Sequence, residues 1–180
     1  MKIVRIFDLP NPTLYAIQYS GEIQDEYHRL FDLWSNAEYL FDFFSKHAHD
    51  LKYYSIVPTD AALETYELAE RMETSIEKAC IHGTRDVGQS LQTLFKPLSN
   101  HETSINSEHQ KTKAKRKWLR LYAVRIGPNC FVITGGSIKL TKKMDERAHT
   151  KKELGKIDRV IDFLKEEGLY DPTDFEMLEF

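Results

Sequence analysis

The stretch WLRLYAVRIGPNCFVITGGSIKLT, residues 118–141, carries the clearest structural signal in the chain. Residues 118–126 and 130–134 are rich in β-branched and aromatic side chains, and the turn Gly127-Pro128-Asn129 separates them. This pattern predicts a β-hairpin. Gly135-Gly136 is a second turn signal, and residues 137–141 alternate apolar and polar side chains, which predicts a third strand. The stretch therefore predicts a three-stranded antiparallel meander.

Upstream of the meander, the sequence predicts one strand followed by helices. Residues 13–20, TLYAIQYS, are rich in strand-forming side chains and predict an N-terminal strand. Residues 24–46 carry aromatic side chains at three- and four-residue spacing, which predicts one long amphipathic helix. A second helix is predicted from Thr59, as its N-cap, to about Ile81.

Downstream, Thr150 and Glu153 have the spacing of a capping box, and they predict the start of a C-terminal helix that ends at Gly168. The predicted fold class is therefore α+β. It combines a small antiparallel sheet, made of the N-terminal strand and the three-stranded meander, with an enlarged helical region and a C-terminal helix.

The chain length of 180 residues fits a single domain. Composition divides that domain into segments, because residues 99–117 contain hardly any apolar side chains and predict a loop whose second half is basic. The predicted segments are a strand with acidic helices (1–98), the basic loop (99–117), the basic sheet with the C-terminal helix (118–168), and a tail with one terminal helical turn (169–180).

The formal net charge of −3 conceals a division between two oppositely charged regions. Residues 1–110 contain 9 basic and 17 acidic residues, a net charge of −8. Residues 111–159 contain 15 basic and 4 acidic residues, a net charge of +11. Such an asymmetry indicates a surface for a polyanion, and the alternative is a solvated basic face.

Composition and motifs exclude several classes of protein. The chain has no apolar run long enough to span a bilayer and no apolar stretch typical of a signal peptide. Cys80 and Cys130 lack metal-binding spacing and predict buried, reduced side chains. Walker, dinucleotide-binding, GxSxG and HExxH motifs do not occur. We therefore expect a cytoplasmic protein without a cofactor, a structural metal or a membrane partner.

The basic segment supplies the candidate residues for binding nucleic acid. Cations hold phosphates, and aromatic rings beside them can stack on bases. For the two aromatic residues, packing in the core is the favoured alternative. The candidates are Lys113, Lys115, Arg116, Lys117, Arg125, Lys142, Trp118 and Tyr122.

Four stretches resemble the C-terminal half of the RelE–ParE toxin superfamily, nearest to its HigB-like members. WLRLYAVRI resembles the central strand of that family, and LFKPLSNHE (94–102) resembles the approach to it. FVITGGSIKLTKKM (131–144) and HTKKELGKI (149–157) resemble the family's lysine-bearing last strand and the start of the following helix. The resemblance covers about residues 94–157.

The resemblance implies an endoribonuclease of a toxin–antitoxin module that acts on messenger RNA at the ribosome without a metal, with a small antitoxin protein as partner. Arg120 matches the strand arginine that would hold the phosphate. Lys139 and Lys143 match the lysines that would stabilise charge or move a proton. His149 is the only histidine near this cluster and is a candidate acid, against the alternative of an exposed residue before a helix.

Three other interpretations remain open at the level of sequence. The same fold could bind an acidic protein or a nucleic-acid backbone without cutting it. The acidic helices of one copy could meet the basic sheet of another copy. The acidic helices could also cover the basic sheet within one molecule as a built-in restraint.

Overall fold

The computed structural model describes residues 1–9, 14–83, 88, 90–98, 109–144 and 146–178, and its centre is a six-stranded sheet. The strand order is β1-β2-β6-β5-β4-β3. The chain is α+β, as predicted. The strands are β1 (Lys2–Arg5), β2 (Leu14–Gln18), β3 (Phe95–Pro97), β4 (Gln110–Arg116), β5 (Leu119–Gly127) and β6 (Cys130–Ile138).

The predicted hairpin is confirmed as β5 and β6, but the rest of the meander differs from the prediction. Gly135-Gly136 does not end a strand, because β6 runs through both glycines to Ile138. Residues 139–141 are therefore not a third strand. The third strand of the meander is β4, which pairs with β5 along Gln110–Arg116. This part of the predicted loop at 99–117 is thus a strand, and residues 99–108 lie outside the described part.

The sheet is mixed rather than antiparallel. The N-terminal strand predicted at 13–20 is confirmed as β2, and β1 pairs with it at the edge. However, β2 runs parallel to β6, with Leu14, Tyr15 and Ala16 opposite Phe131–Ile133. The chain between these strands contains the first five helices and three strands. So long a connection permits parallel pairing, which sequence spacing alone did not reveal.

Helices cover both faces of the sheet. They are α1 (Glu26–Trp34), α2 (Ala37–Lys46), α3 (Ala48–Leu51), α4 (Pro58–His82), α5 (Leu91–Leu94), α6 (Ala148–Glu166) and α7 (Pro172–Glu176).

Two of the helices that precede the central hairpin differ from the prediction. The helix predicted at 24–46 is two helices, because Asn36 leaves the helical conformation and its Oδ1 accepts a hydrogen bond from the Tyr39 N–H at 2.9 Å, which caps α2. The helix predicted from Thr59 instead begins at Pro58, which suits the first helical position because proline has no N–H to leave unpaired.

The C-terminal helix α6 begins two residues before the predicted capping box. Thr150 lies inside the helix, and its hydroxyl donates to the carbonyl oxygens of Met144 and Arg147. Glu153 contacts Lys156 instead of capping the helix. The end is as predicted, because Gly168 follows α6 with a φ of +72°. The predicted terminal turn is α7.

The two faces of the sheet bury separate apolar cores. Leu119, Leu121 and Ala123 pack with α1, α2 and α4. The alternate residues Tyr122 and Val124 pack with α6 and α7. The predicted acidic helices therefore all lie on one face, and α6 lies on the other.

Gly136 in β6 occupies a position that has no room for a side chain. A Cβ added to Gly136 would lie 2.8 Å from the Arg120 carbonyl oxygen and 2.9 Å from Leu30 Cδ1. We expect Gly136→Ala to lower the free energy of unfolding by ~1–3 kcal/mol. The control is Gly155→Ala on α6, where a Cβ meets nothing within 4 Å. That change should stabilise by ~0.5–1 kcal/mol, because alanine favours the helix. Urea unfolding measures both, and equal effects of the two variants would contradict the close approach at Gly136.

Candidate functional site

Five basic side chains surround a small cavity on the α6 side of the sheet. The cavity has a volume of about 280 Å³, and Leu98, Tyr122 and Met144 complete its walls. We call it the basic pocket. Its cations are Lys113, Lys115, Arg120, Lys139 and Lys142.

The register of the strands brings these cations together. Lys113 lies opposite Tyr122, and Lys115 lies opposite Arg120, so all four side chains share one face of the sheet. Lys139 follows the end of β6, where its N–H donates to the Trp118 carbonyl oxygen at 2.8 Å. The five cations therefore come together from β4, from β5 and from the segment after β6. All five are among the candidate residues predicted from the sequence.

The electrostatics of the basic pocket favour the binding of an anion. Burial, and secondarily the charge of Arg120 and Lys115, lowers the pKa of Lys113. The pKa of Lys139 is lowered by burial first and then by Arg120 and Lys113. The described lining residues include no carboxylate, and the charge of Glu146 offsets only part of the lowering of the Lys139 pKa. An anion placed among these cations would relieve their mutual repulsion.

Much of the hydrogen-bonding capacity in the basic pocket remains available. Arg120 Nη1 donates to the carbonyl oxygens of Lys117 at 2.6 Å and Leu119 at 2.8 Å, which fixes the side chain. Lys113 Nζ donates to the Leu98 carbonyl oxygen at 2.9 Å, and Lys139 Nζ donates to that of Lys142. Each ammonium group has three donors and the guanidinium has five, so several have no partner among the described residues and could serve a ligand.

Three other basic candidates lie elsewhere. Arg116 donates to the Ser75 hydroxyl at 3.0 Å, and Lys117 pairs with Glu64 at 2.6 Å, so both contact α4 on the opposite face. Arg125 donates to the Gln92 side chain at 3.0 Å. These three side chains make structural contacts and do not join the basic pocket.

The two aromatic candidates are fully buried. Trp118 packs against Phe44 on the α4 side, and its indole N–H donates to the Thr65 hydroxyl at 2.8 Å. Tyr122 reaches the wall of the basic pocket, but its side chain is also inaccessible. Neither ring has a face available for a base. Both residues therefore fit the alternative interpretation, in which they pack in the core.

The remaining catalytic candidates also lie outside the basic pocket. Lys143 is exposed in the segment after β6, where its N–H donates to Glu146 Oε1 at 2.5 Å. His149 Nε2 donates to the Ile138 carbonyl oxygen at 2.9 Å, and its ring contacts Phe43 and His47. Burial lowers the pKa of His149. His149 therefore lies beside a different cavity.

That cavity is a cleft of about 840 Å³ between α1 and α2 on one side and α6 on the other. We call it the strand-edge cleft, because β2 pairs with β6 only as far as Ile133 and residues 134–138 have no strand partner on that side in the described chain. Its lining includes Tyr19, Glu26, Arg29, Trp34, Tyr39, Phe43, His47, Gly136, Ser137, Ile138, His149, Lys152, Glu153, Lys156 and Arg159.

A buried ionic network spans one wall of the strand-edge cleft. Arg29 donates to both carboxylate oxygens of Glu26, at 2.8 and 2.9 Å. Lys156 Nζ lies 2.9 Å from Glu26 Oε2 and 3.2 Å from Glu153 Oε1. Glu153 Oε2 is buried and has no hydrogen-bond partner in the described part of the chain. Burial raises the pKa of Glu153 despite the nearby charge of Lys156.

Comparison with protein-family models, with curated proteins and with solved structures found no match to this chain. None of the helices in the described ranges has the length and apolar character needed to cross a membrane. Cys80 and Cys130 are buried, as predicted.

The position of the basic pocket corrects the interpretation in which the acidic helices cover the basic sheet within one molecule. The helices α1, α2 and α4 pack on the face opposite to Lys113 and Arg120, so they do not cover the basic pocket as a built-in restraint. Pairing between the acidic helices of one copy and the basic sheet of another stays a prediction.

Proposed function

We propose that the basic pocket binds the phosphate backbone of RNA and that the protein is a metal-independent endoribonuclease of the RelE/HigB type. The observation that carries this proposal is the convergence of five cations around a cavity with no carboxylate among its described lining residues. The resemblance extends the proposal to messenger RNA as substrate, to a small antitoxin protein as partner and to a cytoplasmic location.

The chemistry requires a base, an acid and a group that stabilises charge. The 2′-oxygen attacks the adjacent phosphorus while its proton passes to a base, and the 5′-oxygen leaves with a proton from an acid. The products are a 2′,3′-cyclic phosphate and a 5′-hydroxyl. Arg120 would hold the phosphate oxygens, where charge increases in the transition state. Lys113 and Lys139, whose pKa values are lowered, would exchange the protons.

A second candidate function is non-catalytic binding of a nucleic-acid backbone or an acidic protein. The position of His149 favours it, because the only histidine expected near the cations is hydrogen-bonded to Ile138 and faces the strand-edge cleft. In this alternative, the five cations would bind phosphates or carboxylates without transferring protons.

End-group analysis of RNA distinguishes these functions. The purified protein is incubated with single-stranded RNA in the presence of EDTA, and binding is measured at low and high salt. The proposal predicts salt-sensitive binding and products with 2′,3′-cyclic phosphate and 5′-hydroxyl ends. Lys78→Ala, which removes an exposed lysine from α4, should leave both unchanged. Binding without cleavage would favour the second candidate, and neither binding nor cleavage would contradict the RNA proposal.

A further inference from the structure

We propose that the strand-edge cleft is a nucleotide-binding site, with the base held against Gly136 and Glu153 and the phosphate at the rim. This site is distinct from the basic pocket and does not depend on it. Its volume of about 840 Å³ lies in the range of small-molecule sites, and its lining combines apolar and aromatic walls with a few buried polar groups.

The first recognition element is the edge of β6 that has no strand partner among the described residues. In an antiparallel pair, backbone groups point alternately toward and away from the partner strand. The Lys139 N–H donates to the carbonyl oxygen of Trp118, which directly precedes β5, so the N–H and C=O groups of Ser137 also point toward β5. Those of Gly136, one residue earlier, therefore point into the cleft. Gly136 therefore presents one donor and one acceptor side by side. The edge of a nucleobase offers the matching pair.

The same edge argues against an extended peptide as the ligand. On one side of Gly136, the Tyr19 hydroxyl donates to the Thr134 carbonyl oxygen at 2.8 Å. On the other side, His149 donates to the Ile138 carbonyl oxygen at 2.9 Å. An added strand would need these acceptors as well. A compact planar ligand, in contrast, needs only the backbone groups of Gly136.

The second recognition element is the unsatisfied carboxyl of Glu153. Glu153 is 6% exposed, and its Oε2 has no hydrogen-bond partner, which is costly for a buried polar atom. Oε2 lies against Gly135, since a Cβ added there would be 2.0 Å away. An amino or imino group of a base, which carboxylates recognise in other nucleic-acid sites, would supply the missing donor.

The remaining walls suit the rest of a nucleotide. Phe43 stacks on His47 with ring centres 4.2 Å apart, and Tyr39 lies one turn earlier on α2. These rings provide an aromatic wall against which a base can pack. Lys152 and Arg159 are exposed cations at the rim, on the face of α6 that lines the cleft, and they would hold the phosphate.

The two tryptophans of the chain provide a direct assay. Trp34 lines the strand-edge cleft, whereas Trp118 is buried against α4 and serves as an internal reference. The protein labelled with 5-fluorotryptophan is titrated with each of four nucleoside monophosphates, with the corresponding nucleosides and with an RNA oligonucleotide. We expect at least one base to shift the Trp34 resonance while the Trp118 resonance stays in place. Binding of the mononucleotide identifies a free nucleotide, and binding of the oligonucleotide alone identifies a base within RNA.

Variants test the individual contacts. Glu153→Gln should weaken binding of the preferred nucleotide ~10-fold or more or change which base is preferred, because the acceptor is lost. Lys152→Ala should weaken the nucleotide but not the nucleoside, and the neighbouring Lys151→Ala should do neither. Arg120→Ala should remove binding to the basic pocket and leave the Trp34 shift intact. A Trp34 resonance that no ligand moves, or an affinity unchanged by both Glu153→Gln and Lys152→Ala, would overturn the proposal.

Discussion

Replacing Arg120 by alanine is expected to lower kcat/KM for RNA cleavage ~100-fold or more, the usual effect of removing one preorganised donor from the transition state. Arg120 is the only guanidinium among the described residues that line the basic pocket. Two backbone hydrogen bonds fix its Nη1, and its half-buried position keeps it close to Lys113 and Lys139. A fixed cation stabilises the developing charge without reorganising during the reaction.

A second substitution at this position separates charge from geometry. Arg120→Lys keeps the positive charge but loses the planar pair of donors, so we expect RNA binding to be largely retained and cleavage to stay strongly reduced. Arg71→Ala on α4 is the control, because Arg71 is exposed and lies far from the basic pocket on the opposite face. Urea unfolding of each variant verifies the fold. Cleavage by Arg120→Ala at the wild-type rate would remove Arg120 from the proposed mechanism.

The sequence predicts those parts of the sheet in which large apolar side chains alternate. Residues 119–127 and 130–134 contain such side chains, and the hairpin is found as predicted. Strand β4 was missed because its inward residues are the small Thr112 and Ala114, while lysines occupy the other face. The glycines of β6 were interpreted as a turn, although their missing side chains make room for Trp34 and Glu153.

The two candidate sites also differ in how far the sequence predicts them. The basic pocket was partly predicted because its cations are close in sequence and form a charged segment that composition reveals. Strand register then separated Lys113 and Arg120 from Arg116 and Lys117, which point to the opposite face. The strand-edge cleft gave no comparable signal, because Glu26 and Lys156 are 130 residues apart and each resembles an ordinary charged residue of an amphipathic helix.

The largest effect on stability is expected at Lys156, whose ammonium group joins two buried carboxyl groups across the strand-edge cleft. Its side chain is 10% exposed, and those of Glu26 and Glu153 are 3% and 8% exposed. Lys156→Met removes the charge and keeps the length of the side chain. Because the variant leaves Glu153 buried without its cation, we expect the free energy of unfolding at pH 7 to fall by ~3–5 kcal/mol.

Two comparisons attribute this loss to the uncompensated carboxyl rather than to packing. Adding Glu153→Gln to Lys156→Met should recover part of the stability, because a buried amide costs less than an unpaired carboxylate. Lys152→Met, one turn earlier on α6 and exposed, should change stability by no more than ~0.5 kcal/mol. Urea unfolding of the four proteins gives these differences, and a loss at Lys156 no larger than that at Lys152 would contradict the network.

The pH dependence provides an independent test of the same network. The pKa of Glu153 is already raised by burial, and Lys156 is the largest influence that lowers it. Its removal should therefore raise the pKa of Glu153 further. A carboxyl whose pKa is higher in the folded than in the unfolded protein destabilises the fold when it is ionised, and protonation relieves this cost. The stability difference between wild type and Lys156→Met should consequently narrow as the pH falls from 7 toward the ordinary glutamate pKa of 4.5. A difference that stays constant over this range would mean that Lys156 stabilises the protein through packing and not by compensating Glu153.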